Sequence, residues 1–75
     1  MSTQQSTIAI AYIESSIDEL SEQHEANEIR AFYNKTLGAL MMAHRLRIFD
    51  DSINSQLHEK LAKAREKAAR QGGHM

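Results

Sequence analysis

The stretch LGALMMAHRLRIF, from Leu37 to Phe49, decides the fold of this chain. Wound as an α-helix, it places apolar side chains on almost every side instead of on one stripe, because a helix turns once in about 3.6 residues. Such a helix needs neighbours on more than one side to keep its apolar surface from water. The remaining sequence, or a second copy of it, must supply those neighbours.

Two amphipathic segments flank this stretch and offer one apolar stripe each. In the first segment, apolar residues recur at intervals of three and four, as in the seam of a coiled coil: Ile10, Ile13, Ile17 and Leu20. After the stretch, Asp50, Asp51 and Ser52 are all residues that favour the N-cap of a new helix. The helix that they open carries one apolar face: Ile53, Leu57, Leu61, Ala64 and Ala68.

These patterns predict an all-α fold: a hairpin or bundle of two or three antiparallel helices, completed by homodimerisation. The chain contains no proline and three glycines, and no strand-like alternation interrupts the helical period. We expect the central helix to run from about Asn27 to Phe49, after a loop or kink at 21–27 where the period fails. Ser2 and Gln5 have the spacing of a capping box at the first helix. Gly38 lies inside the central helix, and close packing of another helix there would offset its cost of about 1 kcal/mol.

Size favours association. The chain has 75 residues and no cysteine, and a domain of this length buries only about 60% of the surface that its unfolded chain exposes. Oligomerisation is a common remedy when disulfides are excluded. Two-fold dimers are the commonest assemblies of this kind. The predicted protein interface consists of large apolar residues of the central stretch: Leu37, Met41, Met42, Leu46 and Phe49.

One small helical domain over residues 1–71 accounts for the whole pattern. Residues 72–75 are expected to form a flexible tail, which either belongs to the natural chain or was added to it. The sequence has no apolar run long enough to span a membrane and no secretory signal at its start. We therefore expect a soluble, cytoplasmic protein without a membrane partner.

Metal and catalytic signatures are weak. The histidines are His24, His44, His58 and His74, and no two of them are three or four residues apart. His24 and Glu28 have the spacing of two metal ligands on a helix, but the other helices offer apolar seams and no inward carboxylates. The chain has no phosphate-binding glycine pattern either. We expect no metal, no cofactor, no small-molecule substrate and no enzymatic activity.

Charge is uneven although the net charge is only −1. Acidic residues dominate between Glu14 and Glu28, and basic residues dominate the last segment: Lys60, Lys63, Arg65, Lys67 and Arg70. Antiparallel helices that lie side by side with opposite charges would explain this distribution. Alternatively, the basic helix of each protomer in a dimer binds nucleic acid through phosphate contacts.

Protein binding is the function that the sequence favours. Met41 and Met42 would give a deformable apolar surface of the kind that adaptable binders use. The segment YIESSID, Tyr12 to Asp18, resembles helical segments of small bacterial and phage antiactivator proteins, which bind and silence regulators. The expected function is that of a small regulator or adaptor, of bacterial, phage or plasmid origin, which binds another protein as a homodimer. The alternative is a small dimeric regulator that binds nucleic acid.

Overall fold

Three α-helices make up the part of the chain that the computed structural model describes, which is residues 3–72 for the backbone and 6–71 for the side chains. They are α1 (Thr3–Ser21), α2 (Ala26–Arg45) and α3 (Asp51–Gly72), and this part of the chain contains no strand. The predicted all-α class is confirmed. The period failure at 21–27 corresponds to a loop between α1 and α2. Ser2 of the predicted capping box and residues 73–75 of the predicted tail lie outside the described residues, whereas Gly72 still belongs to α3.

The helices form an up-down-up bundle in which each helix packs against both others. Lys60 Nζ of α3 donates a hydrogen bond to Glu14 Oε2 of α1 at 2.8 Å, and Gln71 Nε2 donates to the carbonyl of Ser21 at 2.7 Å. From Lys60 to Gln71 along α3, the contact point moves from Glu14 to Ser21 along α1. These two helices therefore run in parallel. Helix α2 runs antiparallel to both, and the bundle is an elongated rod of 46 × 17 × 16 Å.

The predicted seams of α1 and α3 form most of the core. The buried apolar residues are Ile13, Ile17 and Leu20 of α1, Leu40 and Ala43 of α2, Phe49 of the α2–α3 connection, and Leu57, Leu61, Ala64 and Ala68 of α3. Thr36 of α2 is also fully buried. Helices α1 and α3 thus each cover one side of α2, as the single apolar stripe of each of them predicts.

Helix α2 ends at Arg45, earlier than the predicted end at Phe49. Leu46 is its C-cap residue, and Arg47 takes a left-handed backbone conformation with φ of 59°. The amide of Ile48 then donates to the carbonyl of Ala43 at 2.9 Å, and the amide of Arg47 donates to the carbonyl of His44 at 3.0 Å. This pair of bonds is a Schellman motif, which satisfies the last helical carbonyls and reverses the chain.

The prediction for Phe49 as an interface residue is wrong for this reason. Phe49 is 5% exposed and belongs to the core, because the turn at Arg47 swings it inward. Gly38 is exposed, and no heavy atom lies within 4 Å of the position where a Cβ would be. None of the three described helices packs over it, so its cost is not offset among residues 3–72. By contrast, an N-cap at the start of α3 is confirmed, since the amide of Ile53 donates to Asp50 Oδ1 at 3.0 Å.

Replacing Arg47 with glycine should stabilise the fold. Side chains with a Cβ disfavour the left-handed conformation, whereas glycine adopts it readily and is the usual residue at this place of a Schellman motif. We expect Arg47→Gly to raise the free energy of unfolding by roughly 0.5–1 kcal/mol, measured by urea denaturation. The matched control, Arg45→Gly, lies in the last helical turn and should lower it by a similar amount. A loss of stability in Arg47→Gly would contradict the assigned turn.

Replacing Thr36 with valine should also stabilise the fold. The Thr36 side chain is fully buried, and its Oγ1 has no hydrogen-bond partner among the described residues. Valine has nearly the same shape without the hydroxyl, so it removes the penalty of an unsatisfied buried polar group, which is about 1–3 kcal/mol. We expect a higher thermal midpoint for Thr36→Val and a lower one for Thr36→Ser, which keeps the hydroxyl and loses the methyl group. A lower midpoint for Thr36→Val would show that the hydroxyl is satisfied.

Candidate interaction surfaces

Five large apolar side chains are more than half exposed, and we call them the apolar patch. They are Ile8 (64%) and Tyr12 (51%) of α1, Met41 (58%) and Met42 (54%) of α2, and Leu46 (60%) of the α2–α3 connection. Met42 and Leu46 are four residues apart, as are Ile8 and Tyr12, so each pair shares one side of its helix. Larger exposed apolar areas on small proteins usually mark contacts with a partner.

Met41, Met42 and Leu46 lie at or near the end of α2, Ile8 lies near the start of α1, and Tyr12 lies at the middle of α1. A cleft at the end of the bundle where α2 meets α3 is lined by Ser6 of α1 together with residues of the α2–α3 connection, including Arg47 and Ile48. The start of α1 is therefore close to the end of α2. Since Ile8 lies only two residues after Ser6, Ile8 and the exposed residues of α2 occupy the same half of the rod.

The predicted interface residues divide into three groups in the structure. Met41, Met42 and Leu46 are exposed, as an interface requires before it is covered. Leu37 is half-buried and packs against the core, and Phe49 is buried in it. Sequence reasoning assigned Ile8 and Tyr12 to no interface. The signal that could have identified them is their spacing of four residues on the side of α1 away from its seam.

Gly38 lies within this surface. It shares a cleft with Met41 and Met42 of its own helix and with Asn54 and His58 of α3. At one edge, His44 Nε2 is 2.6 Å from Asp51 Oδ1, a contact that joins the last turn of α2 to the first turn of α3. A glycine between exposed methionines leaves a shallow hollow that another helix could enter.

The basic residues of α3 are largely engaged within the chain. Within residues 6–71, three basic residues of α3 form ion pairs: Lys60 with Glu14 at 2.8 Å, Lys63 with Glu59 at 3.7 Å and Arg70 with Glu66 at 3.8 Å. The hydrogen bond to Glu14, helped by the attraction of that carboxylate, raises the pKa of Lys60 above its ordinary value. Lys67 and Arg65 have no such partner within residues 6–71. One ion pair, Lys60 with Glu14, joins the basic and the acidic helix. These two helices run in parallel, whereas the expected pairing is between antiparallel helices.

Arg65 lies on the side of α3 that faces α2, and on one flank it shares a cleft with Lys63, Glu59 and Glu66. Its guanidinium carbon is 4.7 Å from the ring centroid of Tyr33. Both residues line a groove between the start of α2 and the end of α3, at the opposite end of the rod from the exposed methionines of α2. The groove residues are His24, Ala26, Ile29, Arg30, Tyr33, Asn34, Arg65 and Ala69.

The described residues offer neither a cluster of metal ligands nor a membrane-spanning helix. Over the described part of the chain, no three histidine or carboxylate side chains come together as potential metal ligands. His24 and Glu28, which have a suitable spacing in sequence, lie on the α1–α2 loop and in the first turn of α2. Among residues 3–72, no helix has the length and apolar character needed to cross a membrane.

Comparison with protein families, curated proteins and solved structures found no match to the chain. The candidate surfaces are therefore defined by geometry and chemistry alone.

Proposed function

We propose that this chain is a small non-enzymatic regulator or adaptor that works as a homodimer and acts by binding another protein through its helices. The observation that supports this proposal is the apolar patch, with five large side chains more than half exposed. Burying one such side chain fully contributes about 1.5–3 kcal/mol relative to leaving it in water. A partner that covers the patch would gain several such contributions.

A second copy of the chain suits the α2 part of this patch. A two-fold interface requires that one surface carries both the protruding and the receiving element, because the same residues meet from both sides. Met41 protrudes, and Gly38, one helical turn earlier, leaves room for a side chain from outside. An antiparallel pair of α2 helices could place Met41 of each copy over Gly38 of the other. This contact would offset the loss of helix stability that Gly38 causes, which no contact among the described residues offsets.

Nucleic-acid binding, the alternative function, receives less support. Lys60, Lys63 and Arg70 each have a carboxylate within 4 Å, so phosphate groups would have to compete with Glu14, Glu59 and Glu66. Affinity for nucleic acid rests on replacing counterions with free basic side chains. Of the five basic residues named above, only Lys67 and Arg65 are not paired with a carboxylate in the described part of the chain.

A glutamate introduced into the apolar patch should abolish the dimer without unfolding the chain. Met42→Glu and Leu46→Glu each place a carboxylate where the proposed interface excludes water. Both side chains are more than half exposed in the single chain, so the helical circular dichroism should remain. Light scattering coupled to size exclusion should show a dimer for the wild type and a monomer for each variant.

Gln56→Glu is the matched control, because it adds the same charge at an exposed position of α3 away from the patch. It should leave the dimer intact. If Met42→Glu and Leu46→Glu remained dimeric, the apolar patch would not be the dimer interface.

Salt distinguishes the two classes of partner. A pull-down with the wild-type chain should retain a protein after nuclease treatment and at raised salt. An interaction that depends on several phosphate contacts would lose roughly a thousandfold in affinity over the same change of salt. Recovery of nucleic acid alone, with that loss, would favour the alternative function and contradict the proposed one.

A further inference from the structure

The groove between the start of α2 and the end of α3 has a composition that points to a ligand. Eight residues line it, and none of them is an aspartate or glutamate. Two of them, Arg30 and Arg65, carry a guanidinium group. In a chain whose acidic residues outnumber its basic ones, a groove with cationic and no anionic lining residues favours an anionic ligand.

Neither guanidinium is paired with a carboxylate in the described part of the chain. Arg30 is exposed, and it takes no part in the ion pairs of residues 6–71. Arg65 stacks on Tyr33 with 4.7 Å between its guanidinium carbon and the ring centroid. Stacking uses the face of the guanidinium and leaves its N–H edge available, and that planar edge binds a carboxylate through two parallel hydrogen bonds.

The N-terminus of α2 reaches the groove, and it carries two carboxylates of its own, Glu25 at the N-cap and Glu28 in the first turn. Its N-cap residue, Glu25, makes no side-chain hydrogen bond to the first turn, so the first amides of the helix have no side-chain cap. Ala26, the first residue of α2, lines the groove. Such uncapped amides attract anionic groups, but Glu25 and Glu28 oppose this attraction. The preference for an anion therefore rests on the two guanidinium groups.

The floor of the groove is apolar. Ile29 and Tyr33 of α2 pack against the core and are half-buried, and Ala69 of α3 completes the lining beside them. A free phosphate or another small hydrophilic anion would leave this floor uncovered. A ligand that fits the groove therefore carries an apolar group next to its negative charge.

We propose that this groove binds an acidic segment of a partner protein, with a carboxylate on Arg65 and Arg30 and a neighbouring apolar side chain on Ile29 and Tyr33. The proposal rests on the proposed function, since it identifies the chemistry of the partner protein and the surface that receives it. It also separates two roles: the apolar patch joins two copies of the chain, and the groove receives the partner. A nucleic acid fits less well, because the groove offers only two guanidinium groups, those of Arg30 and Arg65. Lys60 and Lys63 lie outside the groove and are paired with carboxylates.

The test is a titration of the full chain with a fluorescein-labelled peptide of twelve residues in which leucine and phenylalanine alternate with glutamate and aspartate. Fluorescence anisotropy gives the affinity, and amide and arginine side-chain NMR shifts locate the site. We expect the largest shift changes at Ile29, Tyr33 and Arg65. Hydrogen bonds to charged groups contribute about 1.5–3 kcal/mol, so Arg65→Gln and Arg30→Gln should each weaken binding by roughly tenfold or more.

Lys67→Gln provides the matched control, since it removes one positive charge from the same helix at an exposed position outside the groove. It should change the affinity less than twofold. Arg65→Lys keeps the charge but loses the planar pair of donors, and it should bind more weakly than the wild type. Because Arg65 also contacts Tyr33, circular dichroism must show that its variants are folded, and Arg30→Gln tests the groove independently of that contact.

Three outcomes would overturn the proposal. One is an equal loss of affinity in Lys67→Gln and in the two glutamine variants of the arginines, which would mean that overall charge attracts the peptide. Another is undiminished binding of a peptide with glutamine and asparagine in place of its acidic residues. The third is tighter binding of an oligothymidylate than of the acidic peptide at physiological salt. If Met42→Glu dissociates the dimer in the same preparations while the peptide fails to bind, only the groove proposal fails and the proposed dimer remains.

Discussion

The turn that ends α2 determines which apolar side chains near it are buried and which are exposed. Arg47 adopts a left-handed conformation, and the amide of Ile48 returns to the carbonyl of Ala43. Because the chain reverses there, Phe49 enters the core and Asp50 caps the next helix. Had α2 continued through Phe49, this side chain would have left the core and α3 would have started from a different place.

The same turn leaves Met42 and Leu46 outside. They lie on the last turn of α2 and its cap, on sides that neither α1 nor α3 covers, and Ile8 lies toward the same end of the rod. At the other end, the loop between α1 and α2 and the length of α3 bring Arg65 beside the first turns of α2. The exposed methionines of α2 and the groove with Arg30 and Arg65 therefore lie toward opposite ends of the rod.

Much of this fold follows from periodicity. Ile13, Ile17 and Leu20 repeat at three and four residues, and so do Leu57, Leu61 and Ala64, and all six are buried. The end of α2 could not be predicted in this way, because Arg47 occupies a position where glycine is usual, and no proline follows it. That error placed Phe49 on the surface. The groove was not predictable either, since it joins residues of a loop, of α2 and of α3 that share no local pattern.

Sedimentation equilibrium of the wild-type chain, from nanomolar to high micromolar concentration and with circular dichroism of the same samples, tests the central claim most directly. That claim is that the surface exposed by the end of α2 joins two copies of the chain. The expected result is a reversible monomer–dimer equilibrium with the dimer dominant at micromolar concentration. A fully helical monomer at every concentration would contradict it, because the apolar patch would then stay in water without a second copy to cover it.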